Sequence, residues 1–161
     1  MKSRTKWILL SILILLLVLF GLQRFYVYVQ QDKWGGEAAA IEKAKQESNL
    51  VLADKVWKSV WDKVVWVVQG SNDQGQGMMV WLEDGKEPQK RLLSEGMSEE
   101  AITAIINQEL PNAKIKRLVP GIYNNTLVWQ LFYKQQEHYI YRFYDFNSGK
   151  ALADEYTLPN R

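Results

Sequence analysis

His138 is the chain's one histidine, and it lies between Glu137 and Tyr139. As a general base it would need a nucleophile within reach and a carboxylate to orient its ring. Glu137 is no such partner, because adjacent residues of a strand point to opposite faces. An ordinary strand histidine is what this context supports. The carboxylates are no more selective. Glu83-Asp84 and Glu87 flank a turn, and Glu99-Glu100 open a helix, where the dipole favours acids. Nothing singles out one acidic pair for glycosidase-like work. Cysteine is absent from all 161 residues, which removes disulfides, thiolate zinc sites, a cysteine nucleophile and a lipid-modified cysteine together. The stretch "SNDQGQG" at residues 71–77 lacks EF-hand spacing and reads as a hairpin loop. No G-x-S-x-G, H-E-x-x-H or G-x-x-x-x-G-K stretch occurs. The residues therefore point away from an enzyme, and they indicate no catalytic group, metal or cofactor.

The aromatic residues are the unusual feature. Trp57 and Trp61 lie four apart, so on a strand they share a face with Ser59, while Val56 and Val60 take the other. They form either a buried seam between two parts of the protein or an exposed patch for a protein or glycan partner. Small domains bury most such residues, which favours the seam. Further along, Tyr139, Tyr141 and Phe143 alternate with Ile140, Arg142 and Tyr144, giving a strand with apolar content on both faces. Asn124-Asn125-Thr126 matches a glycosylation sequon and marks an exposed turn.

The first element that must position these residues is N-terminal. "WILLSILILLLVLFGL", residues 7–22, is broken only by Ser11 and Gly21. At ~1.5 Å per residue it covers about 24 Å, against roughly 30 Å for a hydrocarbon core. The long stems of Lys6 and Arg24 and the rings of Trp7, Phe25 and Tyr26 extend it to both interfaces. Its exit through Leu22-Gln23-Arg24 lacks the small residues of a cleavage site, so an uncleaved transmembrane helix is expected over residues 7–25. Lys2, Arg4 and Lys6 precede it, which assigns residues 1–6 to the cytoplasm and the bulk of a single-pass membrane protein to the outside. Those three and Arg24 aside, 16 of the 20 basic residues remain against 18 acidic ones. Beyond Arg24 the chain is thus mildly acidic, with no nucleic-acid footprint.

A juxtamembrane linker is expected over residues 26–36, closed by the breaker Gly35-Gly36. A helix rich in Ala, Glu and Lys follows, then strands at 55–61, 64–69, 78–82 and 90–93, with Asp84-Gly85 as a hairpin turn. The pattern restarts with Ser98 as an N-cap, a helix carrying Ile102, Ile105, Ile106 and Leu110, and a stop at Pro111. Strands are expected at 114–119, 127–133, 138–146 and 151–157, the last turn being Asn147-Ser148-Gly149. A shift of 63 carries Val65-Trp66 onto Val128-Trp129, and a shift of 64 carries Gly85-Lys86 onto Gly149-Lys150. The fold class is α+β. Residues 37–95 and 96–161 each form a helix packed on an antiparallel sheet, and at about 60 residues apiece they should pack together.

The string "LVWQLFYKQQEHYIYRFYDFNSGKAL" resembles the PepSY-type module, on Trp129, Asp145, Gly149 and Lys150. The first half keeps Trp66, Gly85 and Lys86, with Trp81 aligned to Asp145. One basic-start anchor followed by two such modules is similar to the TseB-like, or YpmB-like, family of Gram-positive cell-wall elongation regulators. That resemblance implies a cystatin-like fold for each unit. It also implies a non-enzymatic, membrane-bound and extracytoplasmic regulator that contacts the penicillin-binding transpeptidase of elongation. Modulation of a secreted peptidase and direct binding of peptidoglycan are the alternatives that the broader PepSY resemblance and the aromatic residues leave open.

Overall fold

One helix, α1 (Ser3–Ser48), opens the computed structural model, which describes residues 3–159, the side chains of residues 3–6, 9 and 26–35 excepted. It runs through Gly35-Gly36, so the expected linker over residues 26–36 is helical and the breaker does not break. Each glycine costs about 1 kcal/mol relative to alanine in a helix. The strong formers after it, "EAAAIEKAKQES", hold the helix across that cost. It ends at Asn49, whose φ of 58° is the left-handed conformation that asparagine tolerates at a helix end.

The chain divides into two compact units, Met1–Ala38 and Ala39–Arg161. In the first, the side chains of residues 10–25 are exposed throughout, among them Leu13, Leu17 and Phe20, as are Trp7, Arg24 and Phe25. The side chains of Lys6 and Tyr26 lie outside the described residues. Among the described residues no helix is long and apolar enough to cross a membrane.

The second unit contains two four-stranded antiparallel sheets. The first is a meander of β1 (Leu50–Val60), β2 (Val64–Asn72), β3 (Gly77–Glu83) and β4 (Gln89–Leu92). A short 3₁₀ turn, Leu93–Glu95, leads to α2 (Glu99–Glu109). The second meander follows, β5 (Lys114–Tyr123), β6 (Thr126–Gln135), β7 (His138–Asp145) and β8 (Ala151–Thr157). Ser98 caps α2 by accepting a hydrogen bond from the Ala101 amide at 3.1 Å, with Glu99 and Glu100 in the first turn. Several strands outrun their expected ends, β1 and β5 the furthest. β1 begins five residues early, through Leu50, and β5 continues through Pro120-Gly121 to Tyr123. Pro120 is admissible because β5 is an edge strand with no neighbour on one side. The turn between β5 and β6 is Asn124-Asn125, both at positive φ, which suits a two-residue hairpin.

Alternation along each strand decides what the sheets bury. On one face of the first sheet, Val68, Met78, Val80 and Leu82 pack with Ala40 and Ala44 of α1. The small alanines let the helix approach the sheet closely, as the scarcity of large apolar residues there predicts. The opposite face, Val65, Val67, Met79 and Trp81, shares one continuous core with Ile102 and Ile106 of α2 and with Leu127, Trp129, Leu131, Tyr133 and Tyr144 of the second sheet. The two sheets therefore share one core, in addition to the cluster that the first sheet forms with α1.

β1 joins them. Trp57 meets Trp129 edge-on at 6.3 Å, on the α2 side of the second sheet. Trp61 meets Phe143 at 5.0 Å and Tyr141 at 5.1 Å, on the opposite side. Between them Ser59 donates to the Gln130 side-chain oxygen at 2.9 Å, both groups buried. Thus Trp57 and Ser59 of β1, with Trp61 just beyond its end, straddle the β5 edge, one tryptophan on each side. The approach requires Gly121, where a Cβ would fall 2.5 Å from the Ser59 hydroxyl. The Arg117 guanidinium completes the crossing by donating to the Lys58 carbonyl.

The two most buried tryptophans differ in one respect. Trp129 Nε1 donates to the Met97 carbonyl at 3.0 Å, whereas Trp81 Nε1 has no acceptor. An unsatisfied buried donor costs about 1–3 kcal/mol. Trp129→Phe should therefore destabilise by about 1–3 kcal/mol more than Trp81→Phe, measured by urea unfolding followed with circular dichroism. Equal losses would show that the indole hydrogen bond contributes nothing. Gly121→Val should lower the unfolding midpoint more than Gly75→Val does, although Gly75 has positive φ, because only Gly121 is pressed against another strand.

Candidate functional site

Among the described residues no side chain gathers a catalytic set around it. His138 is exposed at the start of β7, paired across the ladder with Gln135, beside a shallow cleft of about 390 Å³ that Ile140 and Thr157 help to line. Among the described residues no group of three or more His, Asp or Glu is placed to hold a metal. A cleft of about 330 Å³ at the end of α1 collects Asn72, Lys90, Arg91 and Glu95, charges of both signs with no nucleophile activated by a base.

The family-motif positions form two turns rather than one centre. Gly85 and Gly149 sit at the corresponding point after the third strand of each sheet, with φ of 72° and 69°. This is the left-handed region that glycine enters without steric cost. Gly85 faces open space, while a Cβ on Gly149 would come within 2.8 Å of Ile105 and 3.2 Å of Met97. The second turn thus docks on α2 and the first does not. Lys150 is exposed. Its backbone amide donates to the Ser148 hydroxyl at 3.3 Å.

The register corrects the alignment of Asp145 with Trp81. Val128 pairs with Asp145, and its counterpart Val65 pairs with Glu83. Each third strand therefore ends in an acid, and the acid matching Asp145 is Glu83. Two extra residues in the 145–150 turn displaced the sequence alignment. They include Phe146, fully buried, which meets Trp81 edge-on at 4.8 Å and stacks near Trp129 at 6.4 Å. Phe146 is the plug of the shared core, and its carbonyl accepts from the Met97 amide at 2.8 Å.

The two acids are held differently. Asp145 accepts from the Ser148 amide and hydroxyl, each at 2.7 Å, and so shapes its own turn. Glu83 is 6% exposed and lies between Lys63 at 2.7 Å and Lys86 at 2.8 Å. The hydrogen bond from Lys63, then that from Lys86, holds its carboxyl below the usual range. The cluster ties the β1–β2 turn to the β3–β4 turn, and neither Lys63 nor its role was visible from spacing. Lys86 was legible only as part of a Gly-Lys turn. Trp66 remains half-buried under Lys58, whose ammonium is 5.4 Å from the ring centre, while its counterpart Trp129 is fully buried.

What the fold and these turns define is an α+β protein built on two four-stranded antiparallel sheets, its motif residues serving turn geometry and packing. Known proteins share this arrangement. The cell wall elongation regulator TseB-like domain matches residues 39–83. The probable cell wall elongation regulator TseB of Bacillus subtilis (strain 168) is 30% identical over 150 residues, covering 91% of this chain and 92% of that protein. The solved structure of the YpmB protein from Bacillus subtilis superposes with a TM-score of 0.67 at 30% identity, over 76% of this chain and 98% of that one. The chain belongs to the TseB-like family of cell wall elongation regulators.

Glu83 carries a pH signature. Its folded-state pKa is depressed, so its stabilisation is present above the unfolded value of about 4.3 and is lost as pH falls through the folded value. Glu83→Gln should lower the unfolding midpoint at pH 7, and the gap to the parent should shrink as pH drops below about 4. A gap independent of pH would mean that packing, not charge, explains the loss.

Proposed function

We propose that this protein is a membrane-anchored, extracytoplasmic regulator of cell-wall elongation that acts by contact with a penicillin-binding transpeptidase. The observation that carries this reading is the contrast between its two units. Residues 12–20 hold a continuous run of exposed apolar side chains on α1, a surface that suits hydrocarbon and not water. The other unit uses its unusual residues for packing and turns, so it acts by what it touches rather than by what it converts. Its two helix-and-meander units are PepSY-like modules, and family membership supports the elongation role. The basic residues before the apolar run set the N-terminus in the cytoplasm. Confinement to the membrane that also holds the transpeptidase raises the effective concentration of each partner, so a modest contact suffices.

Alkaline extraction of membranes should leave the full-length chain in the pellet, and crosslinking in intact cells followed by purification should recover an elongation transpeptidase. Recovery of the chain as soluble material trimmed near residue 25 would overturn the anchor. Abundant intact protein with no penicillin-binding protein crosslinked to it would overturn the partner.

A further inference from the structure

The two sheets differ in what covers the face turned away from their own helix. In the first sheet that face is buried in the shared core. In the second, the corresponding face carries Val128, Gln130 and Phe132 on β6 and Tyr139, Tyr141 and Phe143 on β7. Only its inner part is covered, by Ser59 of β1 and by Trp61 just beyond that strand. The outer part is open, with Phe132 and Tyr141 half-buried, Tyr139 39% exposed and Tyr156 41% exposed.

The rings there form an unbroken row. Trp61 lies 5.1 Å from Tyr141, Tyr141 lies 4.5 Å from Phe132, and Phe132 lies 5.6 Å from Tyr139. Cations border it. The Lys134 ammonium is 5.6 Å from the Tyr139 ring. Lys114 pairs across the ladder with Lys134, Arg117 pairs with Phe132, and Lys116 occupies the irregularity between Ile115 and Arg117. Lys134 has Glu137 at 3.1 Å, and Asp154 on the same sheet is engaged by Tyr123. Among the described residues no carboxylate lies within ion-pair distance of Lys114, Lys116 or Arg117. A chain that is mildly acidic beyond its N-terminal segment thus concentrates uncompensated positive charge beside an open aromatic face.

We propose that this face, from Trp61 through Phe132 to Tyr139 with Lys114, Lys116 and Arg117 at its border, is the docking surface for an acidic, apolar segment of the transpeptidase. The inference rests on the reading under Proposed function and deepens it by assigning the contact surface. Ring geometry favours a protein over a glycan. Phe132 stacks on Tyr139 and Tyr141 at interplanar angles of 20° and 24°, so these ring faces are turned to one another. Sugars stack on open ring faces, whereas rigid aromatic edges beside arginine are what protein interfaces use. The bordering cations select an acidic partner and speed its encounter.

The test places a photoreactive benzoylphenylalanine at Phe132 or Tyr139 of the full chain in native membranes, with Val51, exposed on β1, as the control position. The expected result is a crosslink from 132 and 139, but not from 51, into an acidic stretch of an elongation transpeptidase. Reversal of Lys114 and Lys116 to glutamate should lower the yield about tenfold while the unfolding midpoint stays unchanged. Transpeptidase crosslinks from position 51 with none from 132 or 139 would overturn the surface and leave the proposed function standing. No transpeptidase crosslink from any position would overturn both. Retention of the chain on purified wall sacculi that Phe132→Ala abolishes would make this face a glycan site and overturn the protein partner.

Discussion

The two sheets of this protein share one core beneath α2, and the crossing of β1 over the β5 edge is where they are locked together. Units of about 60 residues enclose too little surface to be more than marginally stable by themselves. The crossing works because Trp57 and Ser59 of β1 and Trp61 just beyond it divide their partners. Trp57 goes to one side of the second sheet, Trp61 to the other, and Ser59 meets Gln130 between them. Gly121 leaves the room for that approach. Most of what is distinctive in the molecule is arranged around this seam.

The third-strand turns show how similar elements diverge once packing differs. Both sheets end that strand in an acid and then use a left-handed glycine. In the first, Glu83 is clamped by Lys63 and Lys86 and the glycine faces solvent. In the second, two extra residues bring Phe146 into the core and press Gly149 against α2. The longer turn closes the region between Trp81 and Trp129, and with it the shared core. Polar chemistry in one turn and apolar filling in the other serve the same structural end.

Membership in the TseB-like family of cell wall elongation regulators accords with a body whose unusual residues are consumed in packing. Its tryptophans and its motif glycines have structural duties, and its lone histidine stands exposed with no nucleophile beside it. The sheets are asymmetric: one face of the first is sealed inside the protein, and its counterpart in the second is partly open.

Much of this was determined by the sequence alone. Alternation of apolar residues announced eight strands, Ser98 and Pro111 bounded α2, and the glycines of the two turns required positive φ, because these are local constraints that each residue imposes on its own neighbourhood. Tertiary structure decided the rest, since those outcomes depend on contacts between distant residues. It paired Glu83 rather than Trp81 with the role of Asp145, because register is set by the ladder and not by residue count. Proximity of Trp57 to Trp129 and of Trp61 to Phe143 came from the crossing of two strands far apart in the chain. A strand's periodicity states which residues share a face, and only the packing of the whole chain states what that face will meet.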